Sequence, residues 1–279
     1  MTESPGRAGR NLPVAVGVGV GLGALFFLTV FLYKPLFLGV IVAAVCLGMY
    51  ELVRGLSAKD LHPPLVPLVA GAVAVLCTGY ADGHQAMTTA LLLSLPAILV
   101  WRVFRGIDGL VGDLATGVLA LVYVGFLAAF AALMLAAHDG DRRITCFVGV
   151  VVASDVGGYA VGALFGKHPL APKISPKKSI EGLAGSVALC TFLGWILCTQ
   201  LLHAAWWQGV LFGLALVTTA TLGDLFESMI KRDLGIKDMG TLLPGHGGVF
   251  DRLDSMLPSA PTAWAILAAI APLHSHLSP

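Results

Sequence analysis

The sequence predicts an all-α, polytopic integral membrane protein. Hydrophobic residues make up 57% of the chain and charged residues only 12%, a composition outside the usual range of soluble domains. The mean hydropathy is +0.87. Charges occur in short clusters between apolar runs, and each run is close to the ~20 helical residues needed to cross a bilayer. These observations argue against a soluble domain and predict many spanning helices.

Nine apolar segments satisfy this length, and each is predicted to form a spanning helix. They cover residues 13–33, 35–54, 64–81, 85–104, 114–137, 144–165, 183–202, 206–230 and 255–273. The first is too long for the apolar core of a signal peptide, and no clean small-residue cleavage site follows it. The third and fourth are separated only by Asp82-Gly83-His84, which makes this boundary the least distinct. No linker or shift in composition divides the chain, so we expect one membrane-embedded domain over residues 1–279.

The lysines and arginines between these segments predict the orientation. With the N-terminus in the cytoplasm, the inner segments hold 14 of the 17 Lys and Arg residues. In chain order these are Arg7 and Arg10; Arg54 and Lys59; Arg102 and Arg105; Lys167, Lys173, Lys177 and Lys178; and Lys231, Arg232, Lys237 and Arg252. The outer segments hold Lys34, Arg142 and Arg143. Because cytoplasmic loops are enriched in Lys and Arg, we expect the charged segments 166–182 and 231–254 to face the cytoplasm from the cell membrane.

Three other patterns argue against alternative binding functions. The net charge is +1, and no basic patch is interleaved with aromatic residues, so nucleic-acid binding is not expected. The five cysteines lie in apolar segments without CxxC spacing, which argues against metal or disulfide roles. The glycines of residues 17–23 resemble a dinucleotide-binding motif, but they lie inside a predicted span with no preceding strand. Close helix packing explains them better.

The most polar part of the chain, residues 223–255, predicts a site for metal-bound polyphosphate at the membrane surface. Asp224 and Ser228 are four residues apart, so a helix places both on one face. The adjoining positions of that face are Glu227, Lys231 and Arg232. Carboxylates suit a hard cation such as Mg²⁺, whereas Lys and Arg suit phosphate.

A second polar segment runs from Asp155 to Gly182. Asp155 falls within the sixth predicted span, where a carboxylate is costly unless it is paired or binds a cation. It therefore either lines the active cavity or bonds to a neighbouring helix. The loop that follows places hydroxyls and lysines around two prolines, namely Lys173, Ser175, Lys177, Lys178 and Ser179. Proline fixes the backbone, so we expect an ordered loop. Anchoring on anionic headgroups would explain the lysines but not the hydroxyls or prolines.

Two blocks within these segments resemble a known enzyme family. The first contains Ser228-Met-Ile-Lys-Arg, then Lys237-Asp, then Leu243-Pro-Gly-His-Gly-Gly-Val-Phe-Asp-Arg-Leu-Asp254. The second contains Gly166-Lys, then Leu170-Ala-Pro-Lys-Ile-Ser-Pro-Lys-Lys-Ser-Ile-Glu-Gly182. Together they resemble the phosphatidate cytidylyltransferases (CDP-diacylglycerol synthases), closely over residues 150–258, which contain the catalytic motifs. Ser179 stands where that family usually has Thr, and it keeps the hydroxyl.

The resemblance implies that CTP and phosphatidic acid react to give CDP-diacylglycerol and pyrophosphate in phospholipid biosynthesis. It points to Asp224 and Asp251 as ligands of Mg²⁺, and a second cation is compatible with it. Asp254 and Asp155 are further candidate ligands. The other expected catalytic residues are Ser228, Lys231 and Arg232. The expected substrate-binding residues are Lys237, His246, Gly247, Gly248, Arg252, Lys173, Ser175, Lys177 and Lys178.

His246 has two interpretations. The backbone N–H groups of its glycine-rich turn can form an anion-binding nest, with the imidazole an accessory; alternatively, the imidazole transfers a proton, although the attacking phosphate is already ionised. We expect the 231–254 segment to bind CTP with its metal. The loop from Lys173 to Ser179 is expected to position the phosphate of phosphatidic acid or to close over the nucleotide.

Two other functions use the same residues. A CTP-dependent kinase of a polyprenol or related lipid alcohol would release CDP rather than pyrophosphate. An anion transporter could bind its substrate at interrupted helices, but the charges lie mostly in the predicted cytoplasmic loops and no internal repeat is present. The expected partners are CTP, phosphatidic acid and the lipid bilayer, and a homodimer is compatible with the sequence.

Overall fold

Helices account for nearly all regular structure in the computed structural model, which describes residues 12–240, 242 and 247–270. They are α1 (Leu12–Leu32), α2 (Lys34–Leu56), α3 (Leu65–Val103), α4 (Leu110–Ala120), α5 (Leu127–Ala136), α6 (Gly140–Phe165), α7 (Ile180–Leu202), α8 (Trp206–Asp233), α9 (Phe250–Leu253) and α10 (Met256–Ile270). A π-helical segment, Leu121–Phe126, joins α4 to α5. Six segments are long and apolar enough to cross a membrane, by length and composition: Lys34–Lys59, Leu65–Val103, Leu110–Ala136, Gly140–Phe165, Ile180–Leu202 and Trp206–Asp233. The prediction of an all-α membrane protein is confirmed.

Helix α3 contains the two segments predicted at 64–81 and 85–104. Gly83 interrupts it with φ 82° and ψ −166°, a conformation that glycine adopts without a Cβ clash. The two halves then pack against each other, because a Cβ on Gly71 would lie 2.8 Å from the Ser94 hydroxyl and one on Gly79 would lie 3.4 Å from Met87 Sδ. Residues so far apart along a straight helix could not meet. The least distinct boundary in the sequence is therefore a sharp reversal.

One small β-hairpin departs from the all-helical expectation. Strands β1 (Pro169–Ala171) and β2 (Ser175–Ser179) pair antiparallel, with Pro169 opposite Ser179. Ser179 then caps α7, because its hydroxyl accepts a hydrogen bond from the Gly182 N–H at 3.1 Å. A side-chain oxygen at this position satisfies one of the free N–H groups of the first helical turn. The proline-containing loop is thus tied directly to the start of a spanning helix.

The buried side chains form two clusters that share their boundary. The first lies between α2, α3, α4 and α5 and includes Met49 and Phe250. The second lies between α6, α7, α8 and α10 and includes Phe212. Tyr80 and Trp264 pack against both clusters. Helix α9 thereby attaches the polar 247–255 segment to the first cluster, while α8 contacts the first cluster through Phe226 and Ile230 and the second through Phe212.

Glycines bring α6, α7 and α8 unusually close together. A Cβ on Gly157 would lie 2.6 Å from the Gly185 carbonyl oxygen, and one on Gly194 would lie 2.6 Å from the Gly209 carbonyl oxygen. Small residues at such crossings allow backbone-to-backbone contact between membrane helices. The three helices therefore form one tightly packed unit, which carries most of the polar residues discussed below.

We expect Gly185→Ala to destabilise this unit. The added methyl would lie 2.5 Å from Val161 Cγ2 and 2.6 Å from the Gly157 carbonyl oxygen, and such overpacking typically costs ~1–3 kcal/mol. The measurement is the thermal unfolding midpoint of the purified protein in detergent. Gly39→Ala is the matched control, since nothing lies within 4 Å of the added atom. Equal midpoints for the two variants would show that the α6–α7 contact is not close-packed.

Candidate active site

A polar cavity of about 360 Å³ lies between α6, the β-hairpin, the start of α7 and α8. Asp155 of α6 and Asp224 of α8 line it from two sides, and Lys177 and Lys178 of β2 line it from the hairpin. Ser255, between α9 and α10, completes the wall. The two polar segments of the sequence therefore meet in one cavity.

Three carboxylates converge beside this cavity. Among the described residues, Asp224, Glu227 and Asp254 form a group whose oxygen atoms lie within 4.8 Å of one another. Asp224 and Glu227 are three residues apart on α8, which places them on one face. Gly223 permits the approach of Asp254, because a Cβ at that position would overlap the Asp254 carbonyl oxygen. The arrangement concentrates negative charge at a single point.

The hairpin supplies a positive charge to this group. The ammonium of Lys178 forms an ion pair with Asp224 Oδ2, and the Ser228 hydroxyl lies 3.5 Å from the other oxygen, Oδ1. Arg232 holds the hairpin turn, since its Nε donates to the Ile174 carbonyl oxygen at 3.3 Å. Helix α8 thus binds the hairpin at two points that are two helical turns apart.

Lys231 connects the carboxylate group to the glycine-rich segment. Its Nζ lies 2.6 Å from Glu227 Oε2 and 3.0 Å from Asp251 Oδ1. Asp251 also accepts hydrogen bonds from the Gly248 N–H at 2.8 Å and the Met239 N–H at 3.3 Å. Asp251 therefore fastens both ends of the 239–248 segment to the lysine.

The pKa values of the two aspartates outside the spanning helices shift in opposite directions. Burial raises the pKa of Asp251, but the neighbouring Glu227 carboxyl and hydrogen bonds from the Gly248 N–H and the Lys231 ammonium outweigh it, and the net shift is downward. Burial and the nearby charge of Asp224 raise the pKa of Asp254 to about 7. The charge of the Asp251 carboxylate is compensated by the donors around it. The carboxylates around Asp254 have less positive charge beside them, so burial and repulsion dominate there. A donor set of carboxylate oxygens short of positive charge fits a hard divalent cation such as Mg²⁺.

The cytidylyltransferase family model matches residues 14–270. The chain belongs to this family. Among curated relatives, the phosphatidate cytidylyltransferase of Mycobacterium leprae is 39% identical over 285 residues, which cover 96% of this chain and 91% of the relative. The enzyme of Mycobacterium bovis is 38% identical over 277 residues, with 95% and 90% covered. That of Synechocystis is 29% identical over 298 residues, with 96% and 99% covered. The similarity extends well beyond residues 150–258.

The structure of this cytidylyltransferase brings most of the expected site residues together. Asp155, Asp224, Lys177 and Lys178 line the cavity, and Asp254 joins Asp224 in the carboxylate group. The remaining contacts described above attach Ser228, Lys231, Arg232, Gly248 and Asp251 to the same region. Gly247 has φ +85°, a conformation that favours glycine, and thereby shapes the turn next to Asp251.

Other expected residues lie at the margins. Lys173 is exposed in the hairpin and Ser175 is half-buried there. Lys237 and Arg252 are exposed, and among the described contacts no hydrogen bond or ion pair joins Lys237 to the carboxylate group. His246 lies outside the described residues.

Asp251 as a metal ligand stays a prediction, but its contacts differ from those of the carboxylate group. The resemblance pairs it with Asp224 as a metal ligand, whereas the described carboxylate group contains Asp224, Glu227 and Asp254. Asp251 lies on the far side of Lys231, where backbone N–H groups and the ammonium occupy its oxygens. The physical reason is that a buried carboxylate binds the nearest donors, and the glycine-rich turn provides them.

Two glutamates were not among the expected site residues. Glu227, which the sequence places on the same helix face as Asp224, is the third member of the carboxylate group. Glu51 of α2 is only 2% exposed, and its Oε2 accepts a hydrogen bond from the Phe250 N–H at 2.8 Å. A Cβ on Gly248 would lie 2.6 Å from the same oxygen. A carboxylate inside an apolar span is itself a functional signal, and here it positions the start of α9.

We expect Glu51→Ala to loosen the 247–253 segment. The substitution leaves the buried Phe250 N–H without its acceptor, which typically costs ~1–3 kcal/mol. Hydrogen exchange at that amide should become faster, and the thermal unfolding midpoint should fall. Met49→Ala is the control for lost packing: Met49 is buried in the same helix, so this variant should lower the midpoint without selectively accelerating exchange at Phe250. Unchanged exchange at Phe250 in Glu51→Ala would contradict the positioning role.

Proposed function

We propose that the protein is a phosphatidate cytidylyltransferase, converting CTP and phosphatidic acid into CDP-diacylglycerol and pyrophosphate in phospholipid biosynthesis. The family assignment and the names of the full-length relatives support this activity. The structural observation that carries it is the cavity in which the lysines of the hairpin face the carboxylates of α8. The two anionic reactants require positively charged side chains, and a bound cation requires carboxylates, so one cavity must contain both.

The reaction places specific demands on this cavity. An oxygen of the phosphatidate phosphate forms a bond to the α-phosphorus of CTP, and the bond between that phosphorus and the oxygen bridging to the β-phosphorus breaks. Pyrophosphate leaves with the bridging oxygen. Both reactants are negatively charged, so catalysis consists largely of positioning and charge neutralisation. The lipid must also reach the cavity from the bilayer, which agrees with its place among apolar helices.

Asp224, Glu227 and Asp254 would hold Mg²⁺, with Asp155 close enough along the cavity to support a second cation. A bound Mg²⁺ neutralises phosphate oxygens and stabilises the leaving pyrophosphate. Lys178 and Lys177 attract the phosphates from the hairpin side. Asp251 holds the glycine-rich turn in place through Gly248 and Lys231.

Orientation and the number of crossings complete the proposal. We infer nine crossings in one domain: the reversal at Gly83 makes α3 two crossings, and α1 and α10 add one each to the other five long segments. The N-terminus and the catalytic cavity face the cytoplasm of the cell, as the distribution of Lys and Arg favours. Lys59, just beyond α2, pairs with Asp233 at the end of α8 at 2.7 Å, which agrees with both helix ends lying on one side.

Labelled CTP tests the activity directly. Purified protein with phosphatidic acid and Mg²⁺ should transfer label from the α-phosphate of CTP to the lipid, and label from the γ-phosphate should appear in pyrophosphate. A lipid kinase would instead place the γ-label in the lipid and release CDP. That result would overturn the proposed function.

We expect Asp224→Asn and Asp254→Asn to reduce turnover by 10²-fold or more, as for loss of ~3–4 kcal/mol of transition-state stabilisation. Each removes a charge from the carboxylate group with little change in volume. Raising Mg²⁺ should restore part of the activity. Asp233→Asn is the control, because Asp233 lies on the same helix but is exposed and pairs with Lys59.

The Asp251→Asn variant separates two roles. If Asp251 fastens the glycine-rich turn, its loss should reduce turnover without changing the Mg²⁺ concentration needed for half-maximal rate. A shift in that concentration equal to the Asp224→Asn shift would make Asp251 a direct ligand.

Near-normal turnover in Asp224→Asn would remove the carboxylate group from the mechanism.

The two hairpin lysines should behave differently. Lys177 lines the cavity, whereas Lys178 is paired with Asp224. A charge-assisted contact contributes ~1.5–3 kcal/mol, so Lys177→Gln should raise the KM for phosphatidic acid about tenfold or more and leave the Mg²⁺ dependence unchanged. Lys178→Gln should alter both. Assays in micelles without other anionic lipid exclude general membrane attraction, and Lys59→Gln is the control. Weakened CTP binding with unaltered lipid KM would assign the hairpin to the nucleotide instead.

Cysteine labelling in intact cells tests the orientation. Single cysteines at Lys177 and Lys237 should be protected from an impermeant reagent, whereas one at Gln208, the third residue of α8, should react. The five native cysteines are replaced by serine or alanine beforehand. Labelling at 177 and 237 with protection at 208 would reverse the proposed topology.

A further inference from the structure

A second cavity, of about 330 Å³, lies where α2 ends and α3 begins and ends. It shares none of its lining residues with the candidate active site. Its walls are largely apolar and include Leu65 of α3 and the aromatic residues Tyr50 and Trp101. Two arginines, Arg54 and Arg105, also line it.

The arginines have no acidic partner among the described residues. Arg54 lies in the last turn of α2, and Arg105 follows the end of α3 by two residues. Both are exposed, and the lining contains no Asp or Glu. By contrast, the neighbouring Arg102 is buried and pairs with Asp113 at 3.1 Å. The cavity therefore combines two uncompensated guanidinium groups with an apolar wall.

A buried network keeps this wall in place. The side chains of Arg102 and Asp113 are each 7% exposed. Asp113 Oδ1 accepts a hydrogen bond from the His62 N–H at 2.6 Å, and Arg102 Nη1 donates to the Gly106 carbonyl oxygen at 3.2 Å. The segments before and after α3 are thus tied to α4. These contacts fix the segments that flank α3, which carry His62 and Arg105 of the cavity lining.

We propose that this cavity binds an anionic glycerophospholipid at a site separate from the catalytic one. The phosphate would lie between Arg54 and Arg105, because guanidinium groups match phosphate in geometry and charge. An acyl chain would follow the apolar wall beside Leu65. Tyr50 and Trp101 are the residue types found at headgroup level, and basic pockets between spanning helices bind anionic headgroups. The pair between Lys59 and Asp233 places the site on the side of the membrane where α8 ends.

Native mass spectrometry of the full-length protein in detergent tests this site. The probes are phosphatidylglycerol and phosphatidylcholine with identical acyl chains. We expect one phosphatidylglycerol to be retained with about tenfold preference or more, as for ~1.4 kcal/mol. Replacing both arginines, Arg54→Gln with Arg105→Gln, should reduce retention to the phosphatidylcholine level. Lys59→Gln, which removes a positive charge outside the cavity, should retain the preference. Equal retention by the double variant and the unmodified protein would overturn the proposal.

Two further measurements fix the location and the ligand class. A photoreactive phosphatidylglycerol should cross-link to peptides from α2 and α3 in the unmodified protein, so this result does not depend on the folding of any variant. Cross-links confined to α6, α7 and α8 would assign the lipid to the catalytic cavity and overturn the proposal. Glycerol 3-phosphate, which has the phosphate but no acyl chain, should fail to displace the lipid; displacement at equal concentration would identify a site for free phosphate instead.

Discussion

The repulsion between carboxylates in a weakly hydrated site is the constraint on which the rest of the structure depends. Asp224, Glu227 and Asp254 lie too close together to remain charged without nearby positive charge. Lys178 reaches Asp224 from the hairpin, and Lys231 of α8 joins Glu227 to Asp251 of α9. These contacts draw two segments that are distant in sequence onto one face of α8. The cavity, the hairpin and the glycine-rich turn are arranged around that electrostatic requirement.

Close backbone packing makes this concentration of charge possible. Gly223 lets the junction between α9 and α10 contact α8 directly, and Gly157 and Gly185 bring α6 against α7. Glu51 then attaches the start of α9 to α2. Polar groups that would be costly in an apolar environment are therefore stabilised by backbone donors and neighbouring charges. The glycines allow the helix backbones to approach each other, and the buried carboxylates hold the approaching segments by hydrogen bonds and ion pairs.

Hydropathy and residue spacing predicted the features of the structure that involve residues close together in the sequence. Hydropathy identified the apolar helices, six of which among the described residues are long enough to cross a membrane, and the spacing of Asp224 and Ser228 placed them on one helix face, as observed. The reversal at Gly83 coincided with the weakest boundary. The contacts between Glu51 and Phe250, and between Lys178 and Asp224, join residues far apart along the chain. Helical periodicity carries no information about such pairs. The hairpin was missed because two prolines and two short strands give no alternating pattern.

The ion pair between Lys178 and Asp224 has a consequence for how the site fills. The ammonium already occupies one of the oxygens that a divalent cation would use. Under the proposed function, arrival of a cation at Asp224 would therefore be an ion exchange rather than a simple addition. The displaced ammonium would remain on β2 next to Lys177, where the phosphate of phosphatidic acid could become its counter-ion. In the proposed mechanism, binding of the cation and attraction of the lipid phosphate would then be coupled through the charge of Lys178.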